Sequence, residues 1–179
     1  MDSSIIITFA IPLFFGLILI EFFYGVVTKQ NNYRINDAIT SMSLGLISRF
    51  VPILGLGFQY VVYKAVAEHY NFNLLNGEEV WVWVTAFILY DVCYYWMHRI
   101  HHEIKVFWAT HVVHHHGEEF NLSTALRQTS TGFLWKWVFF LPMFIIGIPP
   151  HIYVSVAGLN LVYQFWVHTE HSGRLGFLE

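Results

Sequence analysis

Five apolar runs set what this chain can fold into. They cover roughly residues 5–27, 39–67, 80–97, 133–148 and 152–167. A helix that crosses a bilayer needs about 20 mostly apolar residues. In lipid, every backbone N–H and C=O must be satisfied within the segment, which a helix does on its own. The runs therefore predict an all-α fold, a multi-pass membrane helical bundle of about four to five spans. Charge content agrees, because only 12% of residues are charged against about 25% in ordinary soluble domains. The last two runs are short and flank Pro149-Pro150-His151, which suits a tight hairpin that does not fully cross. The second contains Pro52 and is either one kinked helix or two shorter ones, since proline removes a backbone donor.

The first run has Asp2 as its only early charge and no small-residue cleavage site after it. It reads as a retained anchor, not a signal peptide. Orientation follows from the basic residues of the short loops. Lys29 and Arg34 follow the first run, Arg99, Lys105 and Arg127 lie between the third and fourth, and Arg174 follows the fifth. Glu68, Glu78 and Glu79 follow the second. The expected topology puts the N-terminus outside and residues 98–130 in the cytosol. His168 and His171 then share the cytosolic face with the clustered histidines, and His69 and His151 fall on the far side. The tryptophans suit interfacial belts, and the single cysteine, Cys93, reads as a small apolar core residue. No basic stripe or glycine-rich phosphate loop is present, so no nucleic-acid partner is expected.

Residues 97–119, MHRIHHEIKVFWATHVVHHHGEE, hold seven of the eleven histidines. If the third run continues as a helix, His98 and His102 stand at i and i+4 on one face. His111, His114 and His115 stand at i, i+3 and i+4 on another. Two such faces can close on metal ions between them, whereas a solvated or metal-buffering loop needs no ordered spacing. On this spacing His101 and His116 point elsewhere, toward solvent or an interface. Asp91, seven residues before His98 in the apolar run, is placed to support a ligating imidazole, since such rings usually give their second N–H to a carboxylate or carbonyl.

These motifs resemble the membrane fatty acid hydroxylase/sterol desaturase superfamily. D-x-x-Y-Y-W-x-H-R-x-x-H-E, over 91–103, is similar to its first histidine box, and H-V-V-H-H, over 111–115, to its second. The segment EEFNLSTALR, over 118–127, and QFWVHTE, over 164–170, resemble the alkylglycerol monooxygenase branch in particular. The resemblance covers about residues 86–179. It implies a non-haem di-iron centre with two Fe, which activates dioxygen to hydroxylate or desaturate lipid C–H bonds. Carried over, it makes His98, His102, His111, His114, His115 and His168 metal ligands. Glu103 then becomes a supporting or proton-carrying residue. Gln164 stands where fatty acid 2-hydroxylases carry another histidine, and His171 departs from the branch and is left outside the ligand set. The implied partners are a lipid entering from the bilayer and an external reductant. That reductant is a tetrahydropterin in the alkylglycerol branch, and cytochrome b5 or a ferredoxin-type donor in others.

Residues 1–79 are accordingly expected to supply membrane-spanning helices and residues 80–179 the catalytic domain. The family pattern continues with a third box, H-x-x-H-H, beyond Leu175-Gly176-Phe177-Leu178-Glu179. The expectation is a partial sequence that would not hold a full metal pair or turn over. Two other classes remain open on the residues alone. A zinc transporter or sensor would need ligands deep in several spans, and a haem-binding bundle would need axial histidines on facing spans.

Overall fold

The structure, a computed structural model, describes residues 3–54, 58–75, 77–171 and 176. Among the described residues the fold is all-helical. Seven α-helices run in chain order: α1 (Ser3–Thr28), α2 (Ile35–Leu54), α3 (Phe58–His69), α4 (Val80–Glu103), α5 (Lys105–His115), α6 (Lys136–Ile146) and α7 (Pro150–Phe165). Two 3₁₀ turns, Leu122–Leu126 and Gly132–Leu134, separate α5 from α6. The second apolar run is two helices, α2 and α3, and residues 55–57 between them lie outside the described set.

Two helical segments, Phe9–Thr28 and Val80–Glu103, are long and apolar enough to cross a membrane. Among the described residues these are two candidate spans, against the four to five expected. The reason is length: α6 has 11 residues and at 1.5 Å per residue reaches about 16 Å, roughly half the hydrocarbon thickness. The α6–α7 connection does turn tightly. Gly147 closes α6 at φ 116°, a left-handed conformation that glycine adopts without a Cβ penalty. Pro150 then opens α7 at its first position, where its missing N–H is not needed.

Two apolar clusters hold the helices together. In one, Val82, Ala86 and Met97 of α4 pack with Tyr63 of α3, Phe140, Met143 and Phe144 of α6, and Ile152 and Val156 of α7. Cys93 is half-buried against it, as a small core residue should be. The other joins Ala10, Phe14 and Ile18 of α1 to Leu122, Ala125 and Phe165. There the rings of Phe14 and Phe165 stack with centroids 4.1 Å apart. The outward faces of α1 and α4 stay apolar, with Phe9, Ile20, Phe23, Val80, Val84 and Ile88 all exposed. That is the pattern of helices whose solvent is lipid.

Candidate metal centre

The site begins where α4 stops. Ile104 is the C-terminal cap of α4 and the N-terminal cap of α5, in an extended conformation at φ −106° and ψ 122°. One non-helical residue therefore turns the chain and lays α5 back against the last turns of α4. His98 and His102, one helical turn apart, present Nε2 atoms 3.0 Å from each other. His111 and His115, one turn apart on α5, do the same at 3.1 Å. The pairs meet, with ring centroids 4.7 Å apart for His98–His111 and for His102–His115. Trp108 stacks on His115 and covers one side.

One nitrogen from each of these four rings lies within 4.8 Å of the other three. With metal–nitrogen bonds of about 2.0–2.1 Å, ligands on opposite sides of an ion sit about 4.2 Å apart and adjacent ones about 3 Å. The spacing fits a single ion, and four imidazoles suit iron, zinc or copper chemistry.

His114 faces another way and forms a second nitrogen pair. Its Nδ1–H donates to the Arg127 carbonyl at 2.8 Å, and the His168 Nδ1–H donates to the Gln164 carbonyl at 3.0 Å. A carbonyl oxygen only accepts, so both rings carry their proton on Nδ1. Both Nε2 lone pairs are then left facing each other at 3.4 Å. Two lone pairs pointed at one spot favour a cation there.

Electrostatics keep the imidazoles outside the spans neutral, the form that ligates. Burial, followed by repulsion from His98 and its neighbours, pushes His111 down to about 2. Burial takes His114 to about 4, opposed in part by its bond to Arg127. Burial also lowers His115 and His168.

All six histidines singled out by the spacing and resemblance lie in these two groups. The two acids sit apart from them. Glu103 is exposed and ion-paired with Arg99 at 2.8 Å. Asp91 accepts from Asn160 Nδ2 at 3.2 Å, and Asn160 in turn accepts from Gln164 Nε2 at 2.6 Å. Asp91 thus connects to the turn that carries His168, and not to His98. His116 is exposed, as expected. His101 is not: it is 1% exposed, with Nδ1–H donating to the Met97 carbonyl at 2.7 Å and its ring 5.7 Å from that of His111. Its Nε2 has no hydrogen-bond partner among the described residues. Ala86, Tyr90, Cys93 and Met97 form the core stripe of α4, and His101 extends it by one more turn; that periodicity was the available signal. His171 packs edge-on against Tyr24. His69 bonds the Ala65 carbonyl, and His151 pairs with Glu78 at 2.7 Å at the start of α7. From His151 to Gln164 the helix runs about 20 Å.

Beside His98 a groove of about 300 Å³ is lined by Asp91, Tyr94, Tyr95, His98 and Arg99. Three residues that support the site, two of them buried and one partly buried, were not singled out from the sequence. These are Glu21, Asp37 and Arg127, whose contacts span 86 to 148 positions in sequence.

A family model described as Fatty acid hydroxylase matches residues 83–179. Over 171 residues the chain is 41% identical to an alkylglycerol monooxygenase of Danio rerio and 39% identical to one of Homo sapiens, covering 95% of this chain in each case. A Caenorhabditis elegans alkylglycerol monooxygenase is 29% identical over 158 residues. The chain spans only 38% of the length of the first two relatives. No solved structure matches. The match to the family model spans both histidine boxes, and on it the chain belongs to the fatty acid hydroxylase family.

Proposed function

We propose that this chain is part of a membrane-embedded, dioxygen-dependent di-iron monooxygenase acting on lipids, with ether cleavage of the alkylglycerol type as its reaction class. The observation that carries the reading is the convergence of six imidazoles into a set of four and a facing pair. Family membership and the activity named for the relatives support the choice of chemistry. In this reading the chain crosses the membrane several times and presents the histidines on the cytosolic face.

When bound, two irons would supply the oxidising power that no side chain has toward an unactivated C–H bond. The chain's residues do the rest. His98, His102, His111 and His115 would hold one ion, and His114 and His168 would begin the second site. The carbonyls of Arg127 and Gln164 keep the Nδ1 protons of that pair away from the ligating nitrogens. Asp91, through Asn160 and Gln164, steadies the same turn. Glu103, paired with Arg99 at the rim, is the carboxylate available to carry protons from solvent. The groove beside His98 and the exposed apolar face of α4 give a lipid chain a route from the bilayer. One oxygen atom of dioxygen enters the C–H bond next to an ether oxygen. The other leaves as water, with two electrons and two protons from a tetrahydropterin, or from a cytochrome b5 or ferredoxin-type donor. The resulting hemiacetal collapses to an aldehyde and an alcohol.

The test is anaerobic loading of the detergent-purified whole protein, of which this chain is proposed to be a part, with ferrous iron, followed by oxygen. The expected result is an oxygen-dependent optical change, with aldehyde released from an alkylglycerol when tetrahydropterin is present. Iron that binds but gives neither, with a zinc-loaded sample behaving identically, would overturn the reading in favour of a zinc-binding protein.

A further inference from the structure

We propose that two carboxylates on the N-terminal helices, Glu21 of α1 and Asp37 of α2, are positioning residues for the second nitrogen pair, His168 and His114. The proposal rests on the metal reading above. Both lie outside residues 83–179, the segment that the family model matches.

Glu21 is 6% exposed within an otherwise apolar helix. A carboxylate there is costly unless it is fully engaged. It accepts from three separate stretches of chain: the Tyr33 hydroxyl, the Leu122 backbone N–H at 2.8 Å and the Thr169 hydroxyl. Thr169 directly follows His168. The carboxylate therefore ties the backbone at His168 to α1, and through Leu122 it ties the same point to the first 3₁₀ turn.

Asp37, in the first turn of α2, accepts from the Arg127 guanidinium. That guanidinium also donates to Ser41 Oγ at 3.1 Å and to the Asp37 carbonyl at 3.3 Å. Arg127 is 2% exposed, and its own carbonyl is the acceptor for His114 Nδ1–H. The two clamps end on the two rings whose Nε2 atoms meet. Among the described residues, the four-histidine set, built on α4 and α5, makes no hydrogen bond to either carboxylate. The fold thus assigns the two nitrogen groups to different supports, and the pair at His114 and His168 is the one that depends on the N-terminal helices.

The experiment has a metal-free and a metal-bound arm on the same protein in detergent. Side-chain 15N chemical shifts report which ring nitrogen holds the proton. The near-isosteric Asp37→Asn should move His114 away from the Nδ1–H form, and Glu21→Gln should move His168. His101, locked by the Met97 carbonyl, should not change and serves as the check on folding. Anaerobic titration with Co²⁺ should then show a tight step and a weaker one. Loss of an outer-shell partner typically costs about 10–100-fold in metal affinity. Glu21→Leu and Asp37→Leu should weaken the second step by about that factor and leave the first unchanged, with Glu21→Gln and Asp37→Asn intermediate. An unchanged second step in both leucine variants overturns the proposal. So does equal weakening of both steps together with a shift at His101, which marks general structural damage. If tautomers respond as expected but no Co²⁺ binds even the unaltered protein, the metal reading fails and the positioning of the two rings stands.

Discussion

His111, His114, His115 and His168 are all held below the ordinary histidine value by burial, and this has a consequence for pH. In the unfolded chain each titrates near about 6.5. Between that value and about 4, the unfolded state takes up protons that the folded, metal-free state refuses. Stability is therefore full above about pH 6.5 and is lost as pH falls. The thermal midpoint of the metal-free protein should be lower at pH 5 than at pH 7.5, and an equal or higher midpoint at pH 5 would contradict it. Five of the six clustered histidines, His98, His102, His111, His114 and His115, were readable from spacing, because i, i+3 and i+4 residues share a helical face whatever surrounds the helix; His168 was marked only by the family resemblance of its segment. The environments of Asp91, Glu103 and His101 were not readable that way. Each depends on which neighbour lies across from it: Asn160 of α7, Arg99 on the same helix, or Phe139 of α6.

At the scale of elements, the hinge at Ile104 does most to build the site. Composition predicted the helical run up to Met97. That it continues to Glu103, stops for one residue and restarts was not marked by any glycine or proline between 97 and 111. The rotation of α5 is now a testable requirement. One alanine inserted between Trp108 and Ala109 turns the following residues by about 100° and carries His111 and His115 off the face opposite His98 and His102. Tight Co²⁺ binding should be abolished while helical content, read by circular dichroism, stays the same; retained tight binding would refute the four-histidine arrangement. The α2 contact is similarly close. A Cβ at Gly45 would meet the Leu126 carbonyl oxygen at 2.5 Å, so α2 or the 3₁₀ turn must move to admit it. Gly45→Ala should destabilise by about 1–3 kcal/mol, the usual cost of overpacking, visible as a lowered thermal midpoint.

For the whole molecule, the apolar outward faces of α1 and α4 and the loop charges bear on how the chain sits in a membrane. The topology proposed puts the histidine end in the cytosol and the His151–Glu78 end on the far side. In a Cys93→Ser background, a membrane-impermeant thiol reagent should label His116→Cys from the cytosolic side and His151→Cys from the other. Labelling of both from one side would rule the topology out. By itself the sequence determined that the chain is helical, that its helices face an apolar medium and that two histidine faces exist. Those properties follow from hydrophobic content and from the 3.6-residue period, both local. Only the tertiary structure decided that the four-histidine set and the His114–His168 pair are separate groups, and that Glu21 and Asp37 reach the second. Those contacts join residues dozens of positions apart, and their geometry is set by how α1, α2, α5 and α7 pack, which no local period encodes.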